Sequence, residues 1–338
     1  MARQPTIKDV AKAAKVSTAT VSRALKQPEL LANATRERVL EAVRQVNYTP
    51  NLMARNLRRQ ETKSIFLVVR DMRNPFYLEV FSGVEEEARA LGYTVLMGNT
   101  EDSIERAHFY FDLVRARHAD GLILMTGKLP DILDDLARDQ LPPLVVALEY
   151  FTDFHLPTVR IDNEAAAADA VRHLIALGHT RIAHISGPIP EIMSTGRHDG
   201  YVMALTESGQ KADPAMTVRG DFTMASGHSG CRRLMARDNP PTAIFCANDE
   251  MAMGAINELR ELGYSVPHDI SVIGFDDIVF AGAFYPPLTT VRQPRHDIGK
   301  TAMRLLNGAL IGAPNANEEV IMPTELVVRG STAPPKQN

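Results

Sequence analysis

The chain is poor in the residues that would make it a disulfide scaffold, a membrane protein or a metalloenzyme. It has two cysteines in 338 residues, Cys231 and Cys246, at no metal-ligand spacing. Two buried thiols in a reducing compartment are expected. No run of about 18 apolar residues occurs, which excludes a membrane-spanning helix. The opening Met1-Ala2-Arg3-Gln4-Pro5 lacks the apolar core of a signal peptide, so a cytoplasmic protein is expected. Catalytic signatures are missing too. Gly227-His228-Ser229-Gly230 has the wrong spacing for a nucleophile elbow, and there is no P-loop and no His-Glu-x-x-His. His173, His179 and His184 show no metal-ligand periodicity and read as structural. No catalytic residue, metal or cofactor is expected. Ser331 to Asn338 carries no leucine heptads, excluding a coiled-coil tail, and reads as a disordered end.

What is present is uneven charge. Residues 1–60 hold 12 Lys and Arg against 4 Asp and Glu, whereas the remaining residues hold 25 against 37. A basic head on an acidic body points the head, and not the body, at a polyanion.

The head reads as three short helices. Thr6-Ile7-Lys8-Asp9 forms a capping box with Asp in the usual Glu position. Ile7, Val10, Ala11 and Ala14 then share one face, opposite Lys8, Lys12 and Lys15. After a tight turn, Ser17 caps a second helix in which Val21, Ala24 and Leu25 fall on one face. A third helix fits Thr35 to Val46, with Val39, Val43 and Val46 inward. Two short helices joined by about three residues are a helix-turn-helix signature. Such a second helix presents its N-terminal residues to the major groove of double-stranded DNA. Thr18 and Ala19 suit base edges, Arg23 suits guanine or phosphate, and the lysine stripe suits phosphates. Taken singly, each lysine also fits an ordinary solvated face.

Thr6 to Ala11, then Val16-Ser17 and Thr20-Val21-Ser22-Arg23, resemble the head of the LacI/GalR family of bacterial transcription regulators. Asn47 to Asn51, Ala54-Arg55 and Leu57 match that family's exit from the third helix and its hinge. The departure is Lys15, where many members carry glycine. The resemblance implies DNA contacts from Thr6, Ser17, Thr18, Ala19, Thr20, Ser22 and Arg23. It implies further contacts from the hinge residues Asn51, Ala54, Arg55, Leu57 and Arg58. A hinge helix of seven or eight residues is too short to persist alone in water. By resemblance, two such helices pair in the minor groove and Leu57 wedges a base step; packing between hinge and body is the alternative for Leu57.

From Ser64 the pattern alternates strands and helices. Strands are predicted at Ser64–Val69, Tyr93–Met97, Gly121–Met125, Leu144–Leu148, Val159–Ile161, Arg181–Ile185, Ala243–Cys246 and Ile270–Gly274. This is an α/β chain with parallel sheets. Gly274-Phe275-Asp276 and Pro287-Leu288-Thr289-Thr290 match the family core. That resemblance implies two periplasmic-binding-protein-like lobes of doubly wound sheets, with crossings placed near Ile161, Thr290 and Met322. The expected plan is a DNA-binding domain over 1–50, a hinge over 51–62 and an effector-binding, dimerising core over 63–330. One lobe would comprise about 63–161 and 291–322, the other about 162–290 and 323–330.

Ligands of such folds lie beyond the carboxyl ends of strands. Asp71, Glu149 and Asp162 follow strands, as do Asn248 and Asp276, and Glu191 sits in a loop where family members vary. By resemblance, Arg197, Asn248 and Asp276 clasp ligand hydroxyls, and Phe76, Tyr77 and Phe222 stack rings. Arg197 with Asp276 also fits an interlobe salt bridge. Arg219-Gly220-Asp221-Phe222-Thr223 and Gln293-Pro294-Arg295 resemble members with a nucleoside effector; a sugar or sugar acid is the alternative. The expected function is a cytoplasmic, homodimeric repressor that binds a pseudo-palindromic operator and responds to a small effector. The rival from another class is a solute-binding receptor, against which the basic head argues.

Overall fold

The computed structural model describes residues 5–48, 61–126, 141–150, 155–313 and 318–336. The chain divides into two compact units, residues 1–62 and 63–338.

The first unit is helical. Helix α1 spans Ile7–Ala14, α2 Thr18–Lys26 and α3 Asn33–Gln45. The Asp9 carboxylate accepts from the Thr6 N–H at 2.7 Å, and the Ser17 hydroxyl accepts from the Thr20 N–H at 3.1 Å. These side chains satisfy helix ends that otherwise lack partners. Helix α3 starts earlier than Thr35 because Thr35 and Arg36 donate to the Ala32 carbonyl, which puts the cap at Ala32. The core is Val10, Ala11, Ala14, Val21, Ala24, Val39 and Ala42. Val43 and Val46 are only partly buried against it, because Ala42 takes the inner position of that turn. Lys15 ends α1 at φ +52°, the left-handed conformation that glycine adopts without penalty. Lys15→Gly is therefore expected to stabilise this unit by up to about 1 kcal/mol. Amide exchange of α1 and α2 in the full chain reads this; unchanged protection would show that the lysine carries no strain.

The second unit alternates strands and helices. In order these are β1 Ser64–Val69, α4 Phe76–Ala90, β2 Thr94–Asn99, α5 Ile104–Arg115, β3 Gly121–Met125, β4 Leu144–Ala147 and β5 Thr158–Ile161. There follow α6 Asn163–Ala176, β6 Ile182–Ser186, α7 Ile192–Glu207, β7 Thr217–Arg219, α8 Met224–Met235, β8 Ala243–Cys246, α9 Asp249–Glu261 and β9 Ser271–Asp276. The chain ends with β10 Thr289–Arg292, α10 Arg295–Leu310, β11 Glu319–Met322 and β12 Glu325–Val327. Two six-stranded sheets form, in the orders β11-β5-β4-β3-β1-β2 and β12-β10-β9-β8-β6-β7. Among the described residues only the β10–β12 pairing is antiparallel. Central strands β1, β3, β4, β6, β8 and β9 read as apolar runs because helices cover both faces. The short β7 and the strands β10 to β12 are absent from the sequence prediction.

The chain passes from the first sheet to the second after Ile161, and Met322 and Glu325 bracket another passage. The middle passage is at Gln293, three residues after the expected Thr290. Thr290 and Arg292 still pair with Gly274 and Asp276, so the ladder holds the chain in the second lobe for two more residues. Helix α10 returns to pack on α4 of the first lobe. A Cβ on Gly83 would lie 2.0 Å from the His296 carbonyl oxygen, and one on Gly299 2.1 Å from that of Val80. The glycines let these two backbones touch.

The expected disordered end is corrected. Ser331 is fully buried; its hydroxyl donates to the Val272 carbonyl at 2.6 Å and accepts from the Thr289 N–H at 2.8 Å. Ala333 bonds to Ser271 through both its N–H and its carbonyl, and Lys336 pairs with Asp269 at 3.0 Å. These groups satisfy open positions beside β9 and β10. Both cysteines are buried free thiols.

Candidate functional site

The exposed face of α2 carries Ser17, Thr18, Ala19 and Arg23, while Thr20 and Ser22 are half-buried. Thr20 is partly committed, since its hydroxyl lies 2.9 Å from that of Ser17 in the cap. Thr6 is likewise half-buried and its hydroxyl donates to Asp9. Lys8, Lys12 and Lys15 are exposed. The hinge residues Asn51, Ala54, Arg55, Leu57 and Arg58 lie outside the described residues.

A cleft opens in the second unit where the strand ends of its two sheets meet. The first lobe supplies Arg70 and Asp71 after β1, then Asn74, and Phe76 and Tyr77 from the first turn of α4. Asn74 shapes this wall by accepting from the Phe76 N–H at 2.8 Å. The Phe76 and Tyr77 rings meet edge to face with centroids 5.5 Å apart. The second lobe supplies Met193 and Arg197 on α7, Asp221, Phe222 and Thr223 after β7, Asn248 after β8, Glu250 on α9 and Asp276 at the end of β9. Gln293 closes the wall at the crossover. Phe222 at φ +70° and Asp276 at φ +114° hold backbone conformations rare for residues with a side chain, as positioned binding residues often do.

Arg197 is the buried centre. Its Nε donates to Asn163 Oδ1 at 2.9 Å, its Nη1 donates to the Ala247 carbonyl, and its guanidinium lies 3.8 Å from the Phe275 ring centroid. Asp276 is 3.6 Å away and accepts from Gln293 Nε2 at 2.8 Å. Burial pushes the Asp276 carboxyl up to about 6 and the Arg197 guanidinium down, with their mutual attraction opposing both. This pair costs desolvation on both sides, which fits a site and not a stabilising bridge. Both residues belong to the second lobe, so the interlobe salt-bridge alternative is corrected. Asn248 caps α9, accepting from the Met251 N–H at 2.9 Å and donating to the Phe222 carbonyl at 2.9 Å. It thereby holds the Phe222 backbone.

Seven residues expected from the sequence line the cleft: Asp71, Phe76, Tyr77, Arg197, Phe222, Asn248 and Asp276. Three expected ones do not. Asp162 is exposed and caps α6, accepting from the Ala165 N–H at 3.0 Å. Glu149 is buried and does not line the cleft, whereas its neighbour Leu148 does; the Glu149 Oε2 has no hydrogen-bond partner among the described residues, and burial, then Glu191, pushes its pKa up to about 7. Glu191 instead spans the lobes to Arg70 at 2.5 Å, and Arg70 also holds Asp102 at 2.9 Å. Among the wall residues that the sequence did not single out are Arg70, Asn74, Glu250 and Gln293. Their one legible signal was position, since Arg70 and Gln293 directly follow strands. Away from the cleft, His228, Glu258 and Glu261 gather on α8 and α9, with Arg232 2.7 Å from Glu258 supplying the positive charge.

Comparisons with known proteins agree with this architecture. Residues 6–51 match the lacI family of bacterial regulatory proteins, and residues 171–332 match the periplasmic binding protein-like domain. The HTH-type transcriptional repressor CytR of Escherichia coli K12 is 42% identical over 97% of this chain and 96% of its own. The HTH-type transcriptional repressor PurR of Aliivibrio salmonicida is 37% identical over 89% of this chain and 91% of its own. Among solved structures, the lac repressor dimer bound to operator and the anti-inducer ONPF superposes with TM-score 0.87 at 28% identity, covering 98% of this chain and all of that one. The transcriptional regulator CelR in complex with cellobiose gives TM-score 0.74 at 30% identity, covering 97% of this chain and all of that one. On the helix-turn-helix, the two-lobed core and these relatives together, the chain belongs to the lacI family of bacterial regulatory proteins and is a DNA-binding transcription regulator, not an enzyme.

Proposed function

We propose that this regulator is a repressor that binds a pseudo-palindromic operator as a homodimer and answers to a nucleoside-like effector held between its lobes. The observation that carries the effector reading is the cleft itself. Phe76, Tyr77 and Phe222 offer ring surfaces around the buried polar group of Arg197, Asn248 and Asp276. Flat heteroaromatic ligands stack on such faces while hydroxyls find the polar group. Thr18, Ala19 and Arg23 stand exposed on α2 to read bases, and one such helix reads only a half-site. A dimer supplies the second half-site. No helix among the described residues is long and apolar enough to cross a membrane, in keeping with action on DNA in the cytoplasm. A sugar is the second reading, favoured by the cellobiose bound in the CelR structure.

Control follows from the two lobes. A ligand that binds one interlobe arrangement better shifts the population towards it, and the hinge region carries the change to the head. A tenfold change in operator affinity needs about 1.4 kcal/mol of differential ligand binding. A thermal-shift screen of the full chain with nucleosides, purines, sugars and sugar acids tests the effector class. Stabilisation grows with ligand concentration over its dissociation constant. Nucleosides are expected to raise the melting temperature of the core most. A response confined to sugars would replace the nucleoside reading by the second.

A further inference from the structure

The walls of the cleft carry more acid than base. Arg70 and Arg197 face Asp71, Asp221, Glu250 and Asp276. Both arginines are already held. Arg70 grips Glu191 and Asp102, and Arg197 is tied to Asn163 and the Ala247 carbonyl beside Asp276. Two of the acids are also engaged, Asp71 by Arg73 at 2.9 Å and Asp221 by the Thr223 hydroxyl at 2.6 Å.

Glu250 differs from them. It lines the cleft, and its carboxylate makes no hydrogen bond or ion pair among the described residues. Gln293, almost fully buried in the same wall, spends its Nε2 on Asp276 and leaves Oε1 with no partner. The cleft thus presents two unengaged acceptors, one of them charged. An acceptor is satisfied by an O–H or N–H of a ligand and repelled by a phosphate or carboxylate oxygen.

We propose that this cleft selects its effector by charge, admitting uncharged hydroxyl- or amine-bearing ligands and rejecting those with a phosphate or carboxylate, with Glu250 as the residue that enforces the choice. The proposal rests on the interlobe cleft being the effector site. It narrows the effector class by setting aside sugar acids and nucleotides. Burial first, then the negative charges of Asp276 and Asp71, push its carboxyl up to about 7 against the pull of Arg73, so Glu250 carries its full charge only above that pH, where the calorimetry is run. A further negative charge is therefore unwelcome there.

Calorimetry on the full-length protein, with four nucleosides, their 5′-monophosphates, ribose and ribonate, tests this. In the wild type each uncharged ligand that binds is expected to bind at least about tenfold more tightly than its anionic counterpart, as one repulsive charge pair at a few ångströms implies. Glu250→Gln keeps the shape and removes the charge, and with no partner to lose it should melt as the wild type does. It is expected to narrow the gap about fivefold or more, chiefly by improving the anionic ligand. A monophosphate that binds the wild type as well as its nucleoside overturns the proposal, as does a gap unchanged by Glu250→Gln; either leaves the cleft as effector site standing. Binding of the uncharged ligands that survives Phe222→Ala combined with Asp276→Asn would place the effector elsewhere and overturn both.

Discussion

Val21→Asp is expected to abolish operator binding while leaving the ligand response of the core intact. Val21 is completely buried on α2, in a cluster of seven small residues drawn from three helices. A carboxylate there has no cation and no donor within that cluster. Burying such a group costs several kcal/mol, about 3 or more. A helical unit of this size has only a few kcal/mol of stability to lose. The head therefore unfolds, and Thr18, Ala19 and Arg23 lose the scaffold that holds them in one face. Fluorescence anisotropy with a labelled operator measures the loss, which should exceed about 100-fold. The thermal shift of the core with its effector should remain, because residues 63–338 form a separate compact unit. Operator affinity within about threefold of wild type would show that the head tolerates the charge and that its core is not what positions α2.

Asp276→Asn is expected to reduce effector affinity by about 100-fold, corresponding to about 3 kcal/mol. The substitution keeps the shape but puts an amide where Arg197 needs an anion 3.6 Å away and where Gln293 Nε2 needs an acceptor. Both donors approach the same oxygen, Oδ1, so an amide oxygen there can still accept from Gln293 but brings no negative charge to offset Arg197. Arg197, buried at 2% exposure, is then an uncompensated charge unless it moves out of the wall. Titration calorimetry reads the affinity, and anisotropy in the absence of effector reads operator binding, which should stay within a few-fold of wild type. Retained effector affinity would remove Asp276 from the site.

Several features of both units are written in short stretches of chain. The caps at Thr6 and Ser17 and the buried face of α2 involve residues three or four apart, so a single helical period exposes them. The apolar runs that become β1, β3, β4 and β8 are legible because strands buried on both faces need no alternation. Asp276, Asn248 and Arg197 were reachable because they follow strands or loops and match a known pattern.

Where the reading failed, the cause is that one residue type serves two purposes. A carboxylate directly after a strand can face a ligand or cap the next helix, and Asp162 caps α6 while Asp276 faces the cleft. Glu149 and Leu148 exchange roles because Leu148 sits at φ +74°, which the sequence does not signal. The pairing of Arg70 with Glu191 joins residues 121 positions apart across two lobes, and no local period encodes it. The C-terminal strap over β9 and β10 was hidden for the same reason, since its partners Ser271, Val272 and Thr289 lie far back in the chain.

By itself the amino-acid order determined that a basic helical head precedes an acidic α/β core, where the recognition helix starts, and which face of it is left for a partner. Those are consequences of charge, capping and helical period, all of which act over a few residues. Only the tertiary structure decided which of the many polar residues at strand ends share one cleft, that its arginines are already held, and that Glu250 and Gln293 keep acceptors in reserve. Those are consequences of two sheets meeting at their carboxyl ends, a geometry that brings together residues from 70 to 293 and that no window of sequence contains.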